Sequence, residues 1–180
     1  MQKRLAVIGL GCLVVVAATA AVIRQQDKNA RPSPPAKASC DLGGGKSVTI
    51  DYSSPRAKGR KVFGGLVPLG QVWRTGANEA TTFVTDADLK VGGSDVPAGK
   101  YTLFTVPESD KWTLVISKKT GEWGTAYPGA AEDLVRVPMK VGATSGAVEN
   151  FTIGFDKAGA GCSLHIEWEN TRASVDIAKK

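Results

Sequence analysis

One stretch in the first half of the chain, rich in glycine and arginine, brings together side chains that could bind a ligand. Arg74 carries a planar fork of hydrogen-bond donors that suits a carboxylate or a phosphate, and Glu79 offers an acceptor. Asn78 offers both kinds of group, Trp73 supplies a flat apolar wall, and Arg60 adds a second cation. These five residues predict a polar-lined pocket for a small anionic or hydroxylated ligand.

A purely structural role explains the same residues. In that interpretation Arg74 and Glu79 form a buried ion pair that holds an irregular loop against the rest of the fold. Asn78 would then satisfy backbone groups, and Gly76 would supply a positive φ angle. The two interpretations differ in one observable: a binding site leaves Arg74 and Glu79 open to solvent, whereas the structural loop buries them against each other.

Catalytic and metal-binding patterns are weak in this sequence. The single histidine, His165, could act as a base with Glu167, but residues two apart on a strand are simply neighbours on one face. A hydrolase that uses Glu79 or His165 is kept as an alternative. The histidine and cysteines lack zinc spacing, and no D-x-D-x-D run suits calcium, so we predict neither a metal nor a cofactor.

The N-terminal residues predict export. Residues 5–23 are uncharged and follow Lys3 and Arg4, a charge placement that keeps the N-terminus in the cytoplasm and sends the following chain across the membrane. The segment is long enough for a retained transmembrane helix, but Ala18-Thr19-Ala20 also matches the cleavage site of a signal peptide. Both possibilities remain open, and the membrane is the partner that either implies.

Cysteine usage agrees with an oxidising compartment. Two cysteines follow the apolar segment, Cys40 near the start of the predicted domain and Cys162 near its end. Exported domains commonly join such residues, so we predict a Cys40–Cys162 disulfide, with two unrelated thiols as the alternative.

Composition divides the chain into three parts. After residues 1–23, the proline-rich residues 24–39 predict a solvated linker, and residues 40–180 form the predicted domain. Six of the 23 basic residues and one of the 17 acidic residues precede Cys40, so the domain carries 17 basic and 16 acidic side chains. A nearly neutral domain lacks the basic footprint that nucleic-acid binding requires.

Short runs of alternating polar and apolar residues, separated by turns, predict an all-β domain. The clearest is residues 163–169, SLHIEWE, which places Leu164, Ile166 and Trp168 on one face. Each strand is expected to have one buried face and one solvent-exposed face. Regular strand spacing favours an antiparallel β-sandwich, jelly-roll or immunoglobulin-like, with at most one short helix at residues 130–134.

Three runs carry a family resemblance. They are YSSPRAKGRKVFGGLVPLGQVWRTGANEAT at residues 52–81, PAGKYTLFTVP at residues 97–107, and the late W-E segment. Together they resemble the bacterial family known as domain of unknown function 2911, over essentially residues 40–180. The resemblance implies an exported β-rich domain and implies no reaction.

These observations lead to a functional expectation. We interpret the chain as a non-enzymatic protein of the cell envelope that binds a small ligand or a protein partner. Its domain would lie in the periplasm or extracellular space, anchored to the inner membrane, or be secreted if the signal is cleaved. A structural module without a ligand is the third possibility, beside the hydrolase.

Overall fold

The computed structural model describes residues 30–180. The predicted signal or anchor at residues 1–23 and the first part of the predicted linker lie outside the described residues. Within residues 30–180, no helix has the length and apolar character needed to cross a membrane.

The described chain folds into nine strands and one short 3₁₀ turn at Ala130–Glu132. The strands are β1 (Pro35–Asp41), β2 (Ser47–Ser53), β3 (Thr81–Thr85), β4 (Leu89–Val91), β5 (Ser94–Val96), β6 (Gly99–Pro107), β7 (Trp112–Ser117), β8 (Asp133–Ala158) and β9 (Gly161–Lys179). All pairings are antiparallel. The predicted class, an all-β antiparallel fold with at most one short helix, is confirmed.

Hydrogen bonding joins these strands into one sheet. Their order is β1-β2-β3-β6-β7-β8-β9-β4-β5. The sheet folds over so that β1 and β2 face the β8–β9 hairpin: the Tyr52 and Phe151 rings meet edge to face at 5.7 Å, and the Ile153 amide donates to the Tyr52 hydroxyl at 3.2 Å. The two layers are therefore two parts of one continuous sheet, with the apolar core between them.

Two strands are longer than the sequence pattern predicts. The alternating pattern predicts separate strands at residues 136–141, 148–155, 162–168 and 171–177, but the first two lie in β8 and the last two lie in β9. The pairing of β8 with β9 shifts register between Ala143 and Thr152, opposite Glu169, whose φ is +54°. Such irregularities bend a strand without ending it, which allows the sheet to fold over.

The strand alternation is confirmed in β9 but fails in β6. Leu164, Ile166 and Trp168 are buried, as predicted. In β6, however, residues on both faces are buried, because the loop after β7 covers the outer face: Tyr127 packs on Phe104 with ring centroids 5.3 Å apart. The expectation of one solvent-exposed face was wrong for this strand, because it did not include burial by a loop.

The predicted linker also ends too late. Its last five residues belong to β1, which pairs with β2 from Pro35 opposite Ser53 onward. Proline is tolerated there because β1 is an edge strand and Pro35 is its first residue.

The predicted disulfide is present. Cys40 on β1 and Cys162 on β9 are bonded, with Cα atoms 6.5 Å apart and 122 positions apart in sequence. The bond joins the first strand of the domain to the last long one, across the two layers.

Candidate functional site

The irregular loop between β2 and β3 is fastened to the middle of the sheet by backbone and hydroxyl groups. Trp73 exchanges two backbone hydrogen bonds with Thr105 on β6, at 2.7 and 2.9 Å. The Thr75 and Thr105 hydroxyls lie 3.0 Å apart, and the Thr81 hydroxyl donates to the Thr75 carbonyl at 2.7 Å. These contacts hold both neighbours of Arg74, so its backbone is fixed on each side.

Thr75 itself is held in an unfavourable conformation. Its φ is +55°, in a region that β-branched residues rarely enter, and the residue is fully buried. Such a conformation costs on the order of 1–3 kcal/mol and persists only where the surroundings enforce it, as they often do at binding sites. Gly76 follows because a Cβ there would lie 3.0 Å from the Ser53 carbonyl oxygen.

A cavity of about 640 Å³ opens beside this loop, a size typical of sites for small molecules. Its lining combines an aromatic wall with scattered polar groups: Ser33, Pro55, Arg60, Leu66, Val67, Pro68, Gln71, Val72, Trp73, Arg74, Gly76, Ala77, Thr125 and Trp168. Trp73 stacks on Trp168 with centroids 6.1 Å apart and planes 19° apart. The wall is therefore continuous with the aromatic core.

Arg74 is the lining residue of this cavity with a buried side-chain nitrogen that has no hydrogen-bond partner among the described residues. The guanidinium is half-buried, its Nε is shielded, and no described residue accepts a hydrogen bond from it. Removal from water lowers the pKa of Arg74 below its usual range. Burying a charged donor without an acceptor costs free energy, so this arrangement needs an explanation beyond folding.

The cavity lining is cationic. Among residues 30–180 it contains Arg60 and Arg74 but no aspartate or glutamate. Arg60 is exposed, and two of its nitrogens donate to the carbonyls of Ala57 and Arg56 at 2.9 and 2.8 Å. The half-buried charge of Arg74 therefore faces a space that favours an anion.

The structure brings three of the five predicted site residues together. Arg60, Trp73 and Arg74 share the cavity, whereas Asn78 and Glu79 do not line it. Glu79 lines a smaller adjacent cavity of about 170 Å³. The Asn78 side chain donates to the Ser33 carbonyl at 3.0 Å, so its predicted role of satisfying the backbone holds.

The predicted Arg74–Glu79 pair is not formed. The Glu79 carboxylate instead accepts two hydrogen bonds from Arg31, at 3.0 and 3.1 Å. The Arg31 guanidinium also lies 5.9 Å from the ring centroid of Trp123, which is 59% exposed. The sequence interpretation missed Arg31 because it placed that residue in a solvated linker.

Other lining residues were missed for a similar reason. Ser33 lies in the predicted linker, Thr125 in the loop after β7, and Trp168 was interpreted as a core residue, which its 2% exposure supports. They approach the loop only through the tertiary fold. The proline-rich sequence around Ser33 carried no signal for a pocket wall.

His165 lies in a separate charged cluster on the β8–β9 hairpin. Its Nδ1 is 3.3 Å from the Asp156 carboxylate without an aligned hydrogen bond, and Arg172 bridges Asp156 and Glu167. Burial, with Arg172 second, lowers the pKa of His165 against the opposing pull of Asp156 and Glu167. Within the described part of the chain, no three His, Cys, Asp or Glu side chains are grouped to hold a metal.

Fold and cavity together define an all-β, disulfide-linked domain with a cationic, aromatic-walled pocket. The chain belongs to the family described as "Protein of unknown function (DUF2911)", which it matches over residues 33–177. The predicted family resemblance is thereby confirmed. No curated protein and no solved structure is significantly similar to it.

Proposed function

We propose that this protein binds a small anionic ligand in the cavity beside Arg74. The observation that carries the proposal is the half-buried charge of Arg74 in the lining of the cavity, whose shielded Nε has no acceptor among the described residues. A ligand carboxylate or phosphate would pair with the terminal nitrogens of the guanidinium and neutralise its charge. The backbone of Arg74 is fixed before any ligand binds, because Thr75 is held at a positive φ and Trp73 is hydrogen-bonded to Thr105. Less conformational entropy is therefore lost on binding.

We also propose that the domain functions outside the cytoplasm, in the cell envelope. Support comes from the uncharged residues 5–23 after Lys3 and Arg4, and from the Cys40–Cys162 disulfide, a bond that reducing cytosol disfavours. The binding site would then sample envelope or environmental solutes.

Thermal-shift screening tests the binding proposal. The purified full-length protein is screened against organic acids, sugar acids and phosphate esters, because a ligand that prefers the native state raises the melting temperature. We expect a shift that Arg74→Met abolishes. Lys140→Met is the matched control, since it removes an exposed positive charge outside the cavity. A shift that Lys140→Met reduces as much as Arg74→Met would contradict the proposal.

Fractionation tests the location. Cells expressing the full-length chain are separated into cytosol, membrane and extracytoplasmic fractions, and Cys40 and Cys162 are assayed by alkylation. We expect the protein outside the cytosol, with both thiols blocked until a reductant is added. Recovery in the cytosol with free thiols would contradict export.

A further inference from the structure

The cavity indicates a narrower ligand class. We propose that the ligand is a carboxylate carried on a six-membered ring, either aromatic or saccharide, with the carboxylate on Arg74 and the ring against Trp73. This inference rests on the proposed function, because it names the anion that the same site would take.

A single guanidinium matches a carboxylate in shape and in charge. Arginine presents parallel N–H groups that pair with the two oxygens of one carboxylate, and one positive charge neutralises one negative charge. A phosphate dianion would need a second positive charge for neutralisation. Arg60, the other cation in the lining, is exposed and already donates from two nitrogens to the Ala57 and Arg56 carbonyls. No lysine of the described part of the chain lies in the lining.

The apolar part of the cavity favours a ring. Trp73 is half-buried in the wall, and its indole N–H donates to the Gly76 carbonyl at 3.2 Å, which fixes the ring orientation. Trp168, which also lines the cavity, stacks on Trp73, and Phe151 contacts Trp73 edge to face with ring centroids 5.1 Å apart. Rigid, flat aromatic surfaces stack with aromatic rings, and they also offer an apolar surface to the C–H face of a sugar.

The volume and the polar groups agree with this class. About 640 Å³ is far more than a lone carboxylate fills, so an ion as small as acetate would leave most of the wall uncovered. Ser33, Gln71 and Thr125 place hydrogen-bonding groups in the lining. These can serve ring substituents, which is why both ring types are included.

The test titrates four anions and one neutral analogue into the full-length protein. The probes are phenylacetate, glucuronate, acetate, inorganic phosphate and phenylacetamide. Binding is followed by NMR at the Arg74 Nε–H and the Trp73 indole N–H, which report the two proposed contacts directly. Arg74→Met, Arg74→Lys and the control Lys140→Met are titrated in parallel.

We expect phenylacetate or glucuronate to bind at least tenfold more tightly than acetate or phosphate, and phenylacetamide to bind at least tenfold more weakly than phenylacetate. Arg74→Met should weaken the preferred probe at least tenfold. Arg74→Lys should do nearly the same, because a point charge cannot form the paired contact. Lys140→Met should change affinity less than threefold. The ring acid that binds more tightly shows whether the ring of the ligand is aromatic or saccharide.

The outcomes separate this inference from the proposed function. Phosphate binding at least as tight as both ring acids, with loss in Arg74→Met, would overturn the ring carboxylate and leave anion binding intact. If phenylacetate is the tighter ring acid, phenylacetamide binding as tightly as phenylacetate would overturn both. No response to any probe, together with no anion that shifts the melting temperature, would also overturn both.

Discussion

Replacing Arg74 with methionine should make the protein more stable while removing its ligand binding. Most substitutions of a half-buried arginine are destabilising, because they break hydrogen bonds or an ion pair. Arg74 has neither among the described residues, and its Nε is shielded from water. Methionine keeps the unbranched apolar stem against the aromatic wall and removes the unsatisfied donor.

The expected size follows from the cost of the orphaned donor. Leaving a buried donor without an acceptor costs about 1–3 kcal/mol. Because the rest of the guanidinium is partly solvated, the lower end applies, and Arg74→Met should raise the free energy of unfolding by about 1 kcal/mol. For a domain of this size that corresponds to a rise of roughly 2–4 °C in melting temperature. Arg60→Met is the matched comparison. It loses one part-buried and one exposed hydrogen bond to backbone carbonyls and should lower stability by about 0.5–1 kcal/mol.

The assay is urea unfolding of the full-length protein, followed by circular dichroism and tryptophan fluorescence under non-reducing conditions. Coincident transitions from the two signals justify a two-state free energy. A loss of more than about 1 kcal/mol in Arg74→Met would refute the reasoning, because it would mean that the guanidinium stabilises the loop as a structural cross-link. The binding assignment for Arg74 would then lose its main support.

Three further predictions concern other parts of the fold. Cys162→Ser should lower the free energy of unfolding by about 2–5 kcal/mol, because the disulfide closes a loop of 122 positions. The wild-type protein in reductant should show the same loss of stability as Cys162→Ser. An unchanged urea midpoint in the variant would contradict the prediction. Arg31→Gln should lower the free energy of unfolding by less than about 1 kcal/mol, since the Arg31 and Glu79 side chains are 29% and 42% exposed. Hydrogen exchange at the Ser54 amide, which donates to the Pro34 carbonyl, should nevertheless accelerate. Unchanged exchange at this amide would count against the prediction. Because the folded-state pKa of His165 lies below its ordinary value of 6.5, its neutral form favours folding above that value, and this contribution is lost as pH falls through it. Wild type should thus lose more stability between pH 7.5 and 5.5 than His165→Gln, and the reverse order would refute the assigned direction.

Local sequence patterns determined the all-β class and the faces of some strands, because alternation and turn chemistry act over a few residues. Residues 163–169 bury Leu164, Ile166 and Trp168 as their spacing predicts, and the turn at Gly92-Gly93 joins β4 to β5. The disulfide was also predictable, since the domain has only two cysteines. Three of the five site residues predicted from one loop, Arg60, Trp73 and Arg74, line one cavity, and their role as a binding site stays a prediction.

Charge pairing was decided by the tertiary structure alone. Arg74 and Glu79 are five positions apart, but Arg31, 48 positions before Glu79, takes the carboxylate because pairing of β1 with β2 brings the preceding residues alongside this loop. That pairing leaves Arg74 without a carboxylate partner among the described residues. The pairing of charged side chains depends on distances in the folded structure. Spacing along the sequence does not specify those distances.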